Sequence, residues 1–227
     1  MVEEIDHQFY GKIKIFSNDE GICKHLKDGK TIWEEDLQKL FSKYYKGGSI
    51  IDVGAFIGLH TIAFSKICDK YVCAMEPQPE TFSILKENTK DYDNIITWNL
   101  AISDCTGERY IEPININTSG NFGGVGSHEK SNERSIETRT FRIDDFTYGP
   151  VGLIKIDVEG HELAVLKGAE QTIKKWKPII FIEILGGSTD PSNEEKKMIY
   201  ETQEFICSLG YKLEKKVTVH DYIYIPR

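Results

Sequence analysis

The chain has 227 residues, 40% of them apolar and 28% charged, and its 28 Lys plus Arg against 36 Asp plus Glu leave a net charge of −8. That length supports one core with a small appendage, and the acidic balance argues against broad binding to a phosphate backbone. No apolar run approaches membrane-span length and "MVEEIDHQFY" has no signal-peptide h-region, so a cytoplasmic protein is expected.

Residues 8–33 alternate apolar and polar side chains around the turn signals N-D-E-G and K-D-G-K. They are expected to form two or three short antiparallel strands. In "EEDLQKLFSKYY", Leu37, Leu40, Phe41 and Tyr44 recur at helical spacing, and Gly47-Gly48 ends the helix. Residues 1–47 therefore read as a cap on a main unit spanning 48–227.

From there strands and helices alternate. "SIIDVGA" is a first strand and "GLHTIAFSKIC" a helix; "YVCAMEP" and "PETFSILKENTKDY" repeat the pair. "NIITWNLAIS" is a third strand and "VGLIKIDVEG" a fourth, leading into a single helix, "ELAVLKGAEQTIKKW". "PIIFIEIL" is a fifth strand. In the last helix, "SNEEKKMIYETQEFICSLG", Ser192 and Glu195 form a capping box and Gly210 is the stop. "YKLEKKVTVH" and "DYIYIPR" close as an antiparallel pair, because the "HD" between them is too short for a crossover.

Near-continuous apolar strands separated by helices imply an α/β fold whose mostly parallel sheet is covered on both faces, with an antiparallel C-terminal edge hairpin. Ligands of such sheets sit beyond the strand C-terminal ends. That rim carries Asp52 to Gly58, Glu76, Asp104, Asp157 to His161, and Glu183. An insert at about 113–135, rich in Gly, Asn and Ser, is too long for a routine connection. It reads as a lid over the rim or as a surface loop, and "SIETRTFRIDDF" returns from it as a strand. The five cysteines, Cys23, Cys68, Cys73, Cys105 and Cys207, form no C-x-x-C and read as scattered reduced thiols.

Asp52 to Gly58 spells D-x-G-x-x-x-G. A nucleotide P-loop would end in G-K-[ST], and a dinucleotide fingerprint would need a second glycine two residues after Gly54. The spacing suits a ligand without a pyrophosphate, with Gly54 admitting close backbone approach and Asp52 offering charge toward an ammonium or sulfonium. A tight turn holding nothing is the alternative. Glu76 ends the second strand, placed to accept hydrogen bonds from both ribose hydroxyls of an adenosine ligand. Asp104, after the third strand, is placed for an adenine amino group, or belongs to a plain turn with Gly107.

"IIDVGAFIGLHTIAFSK", "YVCAMEPQPETFSILKENT", "WNLAISDCTGE", "LIKIDVEGHELAVLKGAEQTI" and "KPIIFIEI" resemble, in order, the motifs of the FkbM family of S-adenosylmethionine-dependent methyltransferases. "NFGGVGS" in the insert also fits, and "KIDVEGHE" with "VLKGA" is the most specific piece. The resemblance implies a class I, Rossmann-like methyltransferase domain at 48–227. It implies a cofactor pocket lined by Asp52, Gly54, Ala55, Phe56, Gly58 and Glu76, with Asp104 near the adenine. It also implies methyl transfer to a hydroxyl of a sugar, glycan or small metabolite.

An alcohol is a weak nucleophile near neutral pH, so such transfer needs a base or a metal. Asp157 at the tip of the fourth strand is the best-placed base; Glu159 lies on the same side, and His161 has an unperturbed pKa near neutrality. Glu159, Glu162 and His161 also read as ordinary helix-start residues. Glu183, inside an apolar run, would be costly unpaired; with Asp157 it could hold a divalent cation. Three rival readings stand beside this one. They are an RNA ribose methyltransferase, disfavoured by the net charge; a non-catalytic cofactor-binding domain; and an NAD-dependent enzyme, disfavoured by the glycine spacing.

Overall fold

Two N-terminal strands, β1 (Val2–His7) and β2 (Gly11–Phe16), form an antiparallel hairpin in the computed structural model, which describes residues 1–31, 35–124, 127–128, 135–146, 149–184 and 192–227. The middle of the insert (125–126 and 129–134) and the end of the fifth expected strand at Leu185 lie outside the described residues. Helices α1 (Ile22–Lys27) and α2 (Glu35–Tyr44) follow. The expectation of two or three short strands within 8–33 is thus corrected: β2 is the one strand there among the described residues, and 32–33 lie outside them. The hairpin begins at Val2, and residues 22–27 are helical because Asp19 accepts the Cys23 amide and opens a turn there.

The main unit runs β3 (Ser49–Val53), α3 (Leu59–Ser65), β4 (Val72–Met75), α4 (Pro79–Thr89), β5 (Ile95–Trp98), β6 (Ala101–Ile102), β7 (Gly107–Ile111), β8 (Ser127–His128) and β9 (Ile136–Phe141). A 3-10 turn at Ile143–Asp145 leads to β10 (Val151–Ile156), α5 (Glu162–Gly168), α6 (Glu170–Trp176), β11 (Ile179–Glu183), α7 (Asn193–Ser208), β12 (Tyr211–Lys216) and β13 (Asp221–Pro226). The central sheet has the order β12-β13-β11-β10-β3-β4-β5. All pairs from β11 to β5 are parallel, and β13 pairs antiparallel with both β11 and β12. The expected parallel sheet with an antiparallel edge hairpin is what forms.

Alternation sorts the buried strand residues onto two faces. Ile51, Val53, Ile154, Ile156, Ile180 and Ile182 pack with Val165 and Leu166 of α5 and Ile206 of α7. Ile50, Leu153, Ile179 and Phe181 pack on the other face with Phe41 of α2 and Phe64 of α3. Burying each such side chain stabilises the fold by about 1.5–3 kcal/mol, which explains why these strands read as unbroken apolar runs.

Two elements are divided where one was expected. The third strand breaks after Trp98, and its second part, β6, joins a separate sheet of order β6-β9-β7-β8. The helix after β10 breaks at Ala169, where the backbone leaves helical geometry (φ −110, ψ 4). The same junction touches the β6 end: a Cβ on Gly168 would lie 2.0 Å from the Ser103 carbonyl oxygen, so only glycine lets α5 approach.

The N-terminal hairpin is bolted beside the glycine loop. Asn88 of α4 accepts the Lys14 amide (2.7 Å) and donates to the carbonyls of Lys14 and Ile57 (2.9 Å each). Ile13, Phe16 and Leu26 share a cluster with Ile57, Ile62 and Phe122. No helix among the described residues is long and apolar enough to cross a membrane.

Candidate active site

Strand order reverses at β3: the chain moves from β3 to β4 and β5 on one side, then returns to β10 and β11 on the other. A cavity of about 340 Å³ opens there, beyond the strand C-terminal ends. Gly54, Phe56, Glu76, Gln78, Glu159 and His161 are among its walls, and Phe122 of the insert with His25 of α1 cover it. A second cavity of about 280 Å³ adjoins it, lined by His60, Lys155, Phe181, Thr218 and Asp221. Gly54, Phe56, Asp157 and Glu183 line both.

The glycine turn is built by close backbone approach. At Gly54, φ is +76 and a Cβ would fall 1.7 Å from the Asp157 carbonyl oxygen, so no side chain fits. Gly58 (φ +94) caps α3 and packs against Leu85 rather than facing the cavity. Phe56 and Glu159 hold positive φ values of 52 and 53 without being glycine, and both face the first cavity. Strain of this kind persists where the surroundings over-determine the backbone.

Glu76, at the end of β4, is 7% exposed. Its Oε1 accepts from the Gln78 amide (2.9 Å) and the Thr81 hydroxyl (2.8 Å), and its Oε2 from the Phe56 amide (2.9 Å). Burial nevertheless raises its pKa against these three donors and Lys155. A carboxylate offers about four acceptor positions, so about one remains for a ligand. The expectation that Glu76 binds both ribose hydroxyls is narrowed accordingly.

The structure moves several expected pocket residues out of the first cavity. Asp52 is fully buried behind the loop, accepting from the Thr61 hydroxyl (2.5 Å) and paired with Lys155 (3.5 Å). Ala55 lines only the second cavity. Asp104 is exposed on the turn after β6 and lines neither cavity; Ser103, buried beside it, donates to it at 3.2 Å. His161 does line the first cavity, with its Nε2 2.9 Å from the Ser103 hydroxyl, but it does not reach the second.

Lys155 has the role that spacing alone did not assign. It is 3% exposed, and its ammonium meets the Gly54 carbonyl (2.6 Å), Asp157 (3.1 Å) and Asp52 (3.5 Å). Burial disfavours its charge, but Asp157 and Asp52 outweigh burial and keep the ammonium protonated. The signal was present in the sequence: a lysine inside "VGLIKIDV" must find acids.

Carboxylate oxygens of Asp157, Glu159 and Glu183 lie within 4.8 Å of one another. Burial disfavours ionisation of Asp157, yet Lys155 holds it below the usual carboxylate range. Burial and the Asp157 charge push Glu183 up to about 9, and burial with Asp157 and Glu162 pushes Glu159 up to about 7. The cluster thus keeps its firmest negative charge on Asp157, favours a proton on Glu183 and leaves Glu159 poised near neutrality. Glu162 is at the α5 start, accepting the Gly160 amide at 2.8 Å as a capping acid does.

This sheet order, the glycine turn at the switch point and the acid ending the adjacent strand define a class I, Rossmann-like methyltransferase fold. The family model described as the methyltransferase FkbM domain matches residues 52–213. The chain belongs to that family. It is 32% identical over 169 residues to the hexuronic acid methyltransferase AglP of Haloferax volcanii, covering 72% of this chain and 66% of that relative. The chain thus spans slightly less than two thirds of that protein's length. The solved methyltransferase FkbM of Methylobacillus flagellatus superposes with a TM-score of 0.55 at 18% identity, over 79% of this chain and 43% of that one. The structure of a fibrillarin/Nop5p complex gives 0.54 at 15%, over 85% and 80%. At these identities the likeness is one of fold.

Proposed function

We propose that this protein is a cytoplasmic S-adenosylmethionine-dependent O-methyltransferase acting on a hydroxyl of a sugar, glycan or small metabolite, with residues 1–47 serving as a cap. The observation that carries the reading is the pair of adjoining cavities meeting at Asp157, Glu183 and Gly54. One accommodates the cofactor and the other the acceptor. The first fits an adenosine ligand: Glu76 keeps an open acceptor position, and Gly54 offers backbone that no side chain obstructs. The hexuronic acid methyltransferase relative supports a sugar acceptor.

Bound S-adenosylmethionine supplies a methyl group already activated on a sulfonium. The chain's task is to orient the acceptor and remove its proton. Asp157 faces both cavities and is kept ionised by Lys155, so it receives the hydroxyl proton. Glu183 beside it holds a proton, and the two titrate together as one pair. Glu159 adds a further acid on the cofactor side, and His161 orients the Ser103 edge. A second reading, a divalent cation held by Asp157 and Glu183, gains Glu159 as a third oxygen ligand from their mutual approach.

Calorimetric titration with S-adenosylmethionine, S-adenosylhomocysteine and NAD tests the cofactor. Binding of the first two without NAD is expected, and binding of NAD alone would refute the reading. Glu76→Ala removes a charged acceptor and is expected to weaken cofactor affinity by roughly 10- to 100-fold. Turnover that survives chelation would remove the cation.

A further inference from the structure

Among the described residues, the side chains lining the second cavity include more acids than cations. Among the described residues lining it, Lys155 is the sole Lys or Arg. An ammonium has three donors, and those of Lys155 face the Gly54 carbonyl, Asp157 and Asp52. His60 is held between Phe64 and Phe181 with ring centroids 5.8 and 5.6 Å away, where burial disfavours its charged form. Against them stand the Asp157–Glu183 pair, which carries one charge and one proton, and Asp221, with Asp52 directly behind Lys155. Asp221 is opposite Glu183 in the β11–β13 register, so the edge hairpin delivers a third acid to the far wall. At about 280 Å³ the space is near the lower limit for small-molecule sites, about 300 Å³, which suits a single ring better than an extended chain.

Resting on the methyl-transfer reading above, we infer that the acceptor is a monosaccharide unit without a carboxylate, with an amino sugar favoured over a neutral one and a uronate rejected. A carboxylate in this cavity would lose its hydration and meet the charges of Asp157 and Asp221, with no free ammonium or guanidinium among the described lining residues to pair it. An ammonium substituent would meet Asp221 and the Asp157–Glu183 pair. The inference separates this chain from its relative, whose name specifies a hexuronic acid.

Three methyl glycosides that differ only in one substituent supply the test: an amino sugar, its neutral parent and the corresponding uronate. Each is offered to the full chain with S-adenosylmethionine for transfer, and with S-adenosylhomocysteine for binding by saturation-transfer NMR. The expected order is amino, then neutral, then uronate, with kcat/KM for the uronate at least about tenfold below the neutral sugar. Asp221→Asn, which keeps the Thr218 contact within reach, should narrow the gap between uronate and neutral sugar several-fold. A uronate that is bound or methylated as well as the neutral sugar overturns the inference, as does failure of all three to bind. Binding in the expected order without transfer would instead refute the methyl-transfer reading and leave the charge selection standing.

Discussion

Lys155 and His60 show how single residues on the buried side of the glycine turn set its electrostatics. Lys155 ties the β3 acid Asp52 to Asp157, which follows β10, while donating to the Gly54 carbonyl. Removing it would leave the buried Asp52 and the half-buried Asp157 uncompensated, a loss of roughly 3 kcal/mol. His60 is the complementary case. Burial lowers its pKa from 6.5 to about 4, with Lys155 acting in the same direction and Asp52 and Asp157 opposing. The folded value lies below the unfolded one, so the unfolded chain binds more protons between them. This contribution is complete above pH 6.5 and is lost as pH falls toward about 4. Urea unfolding of the wild type and His60→Gln across that window should show a shallower acid limb in the variant.

The elements show where local signals suffice and where they fail. In α7, the Ser192 hydroxyl accepts the Glu195 amide (3.2 Å) and Glu195 reaches back to the Ser192 amide (2.6 Å), as the sequence indicates. Ser192→Ala is expected to cost about 1 kcal/mol, lowering Tm by about 2–4 °C in thermal unfolding. Residues 162–176 taught the opposite lesson. Their apolar period is continuous, but Gly168 must press onto the Ser103 carbonyl, and the helix breaks there to permit it. Likewise "NIITWNLAIS" divides because Ala101 and Ile102 find a second partner in Thr140 and Phe141 of β9. Periodicity within a segment carries no record of a distant strand.

At the scale of the whole molecule, the N-terminal section and the insert close the first cavity together. Asp19, 4% exposed, accepts the Cys23 amide at 2.8 Å and the Phe122 amide at 3.0 Å, and the Glu20 amide donates to the Gly120 carbonyl at 2.9 Å. One carboxylate thereby joins α1 to the glycine-rich start of the insert, and Ile22, His25 and Phe122 line the cavity as a result. Asp19→Ala leaves two amide donors unpaired, about 1–3 kcal/mol each if they stay buried. Cofactor affinity is expected to fall roughly tenfold, and hydrogen exchange should quicken at 19–25 and 120–124 while the central sheet is unchanged. Unaltered exchange at 120–124 would show that the two segments are not coupled through this residue.

What the sequence determined by itself was the main sheet, its edge hairpin, the glycine turn, Glu76 on the rim and the FkbM identity of the motifs. These are written in short-range spacing: apolar runs, caps, a glycine where the backbone needs one. Only the tertiary structure decided which rim residues line the two cavities. It turned Asp52 toward Lys155, set Asp104 outside, and gathered Glu159 and Glu183 around Asp157. It also brought Asp221 to the second cavity and joined Asp19 to Phe122 across 103 positions. Those outcomes depend on strand order and on burial, where a charge must find its partner wherever the fold delivers one.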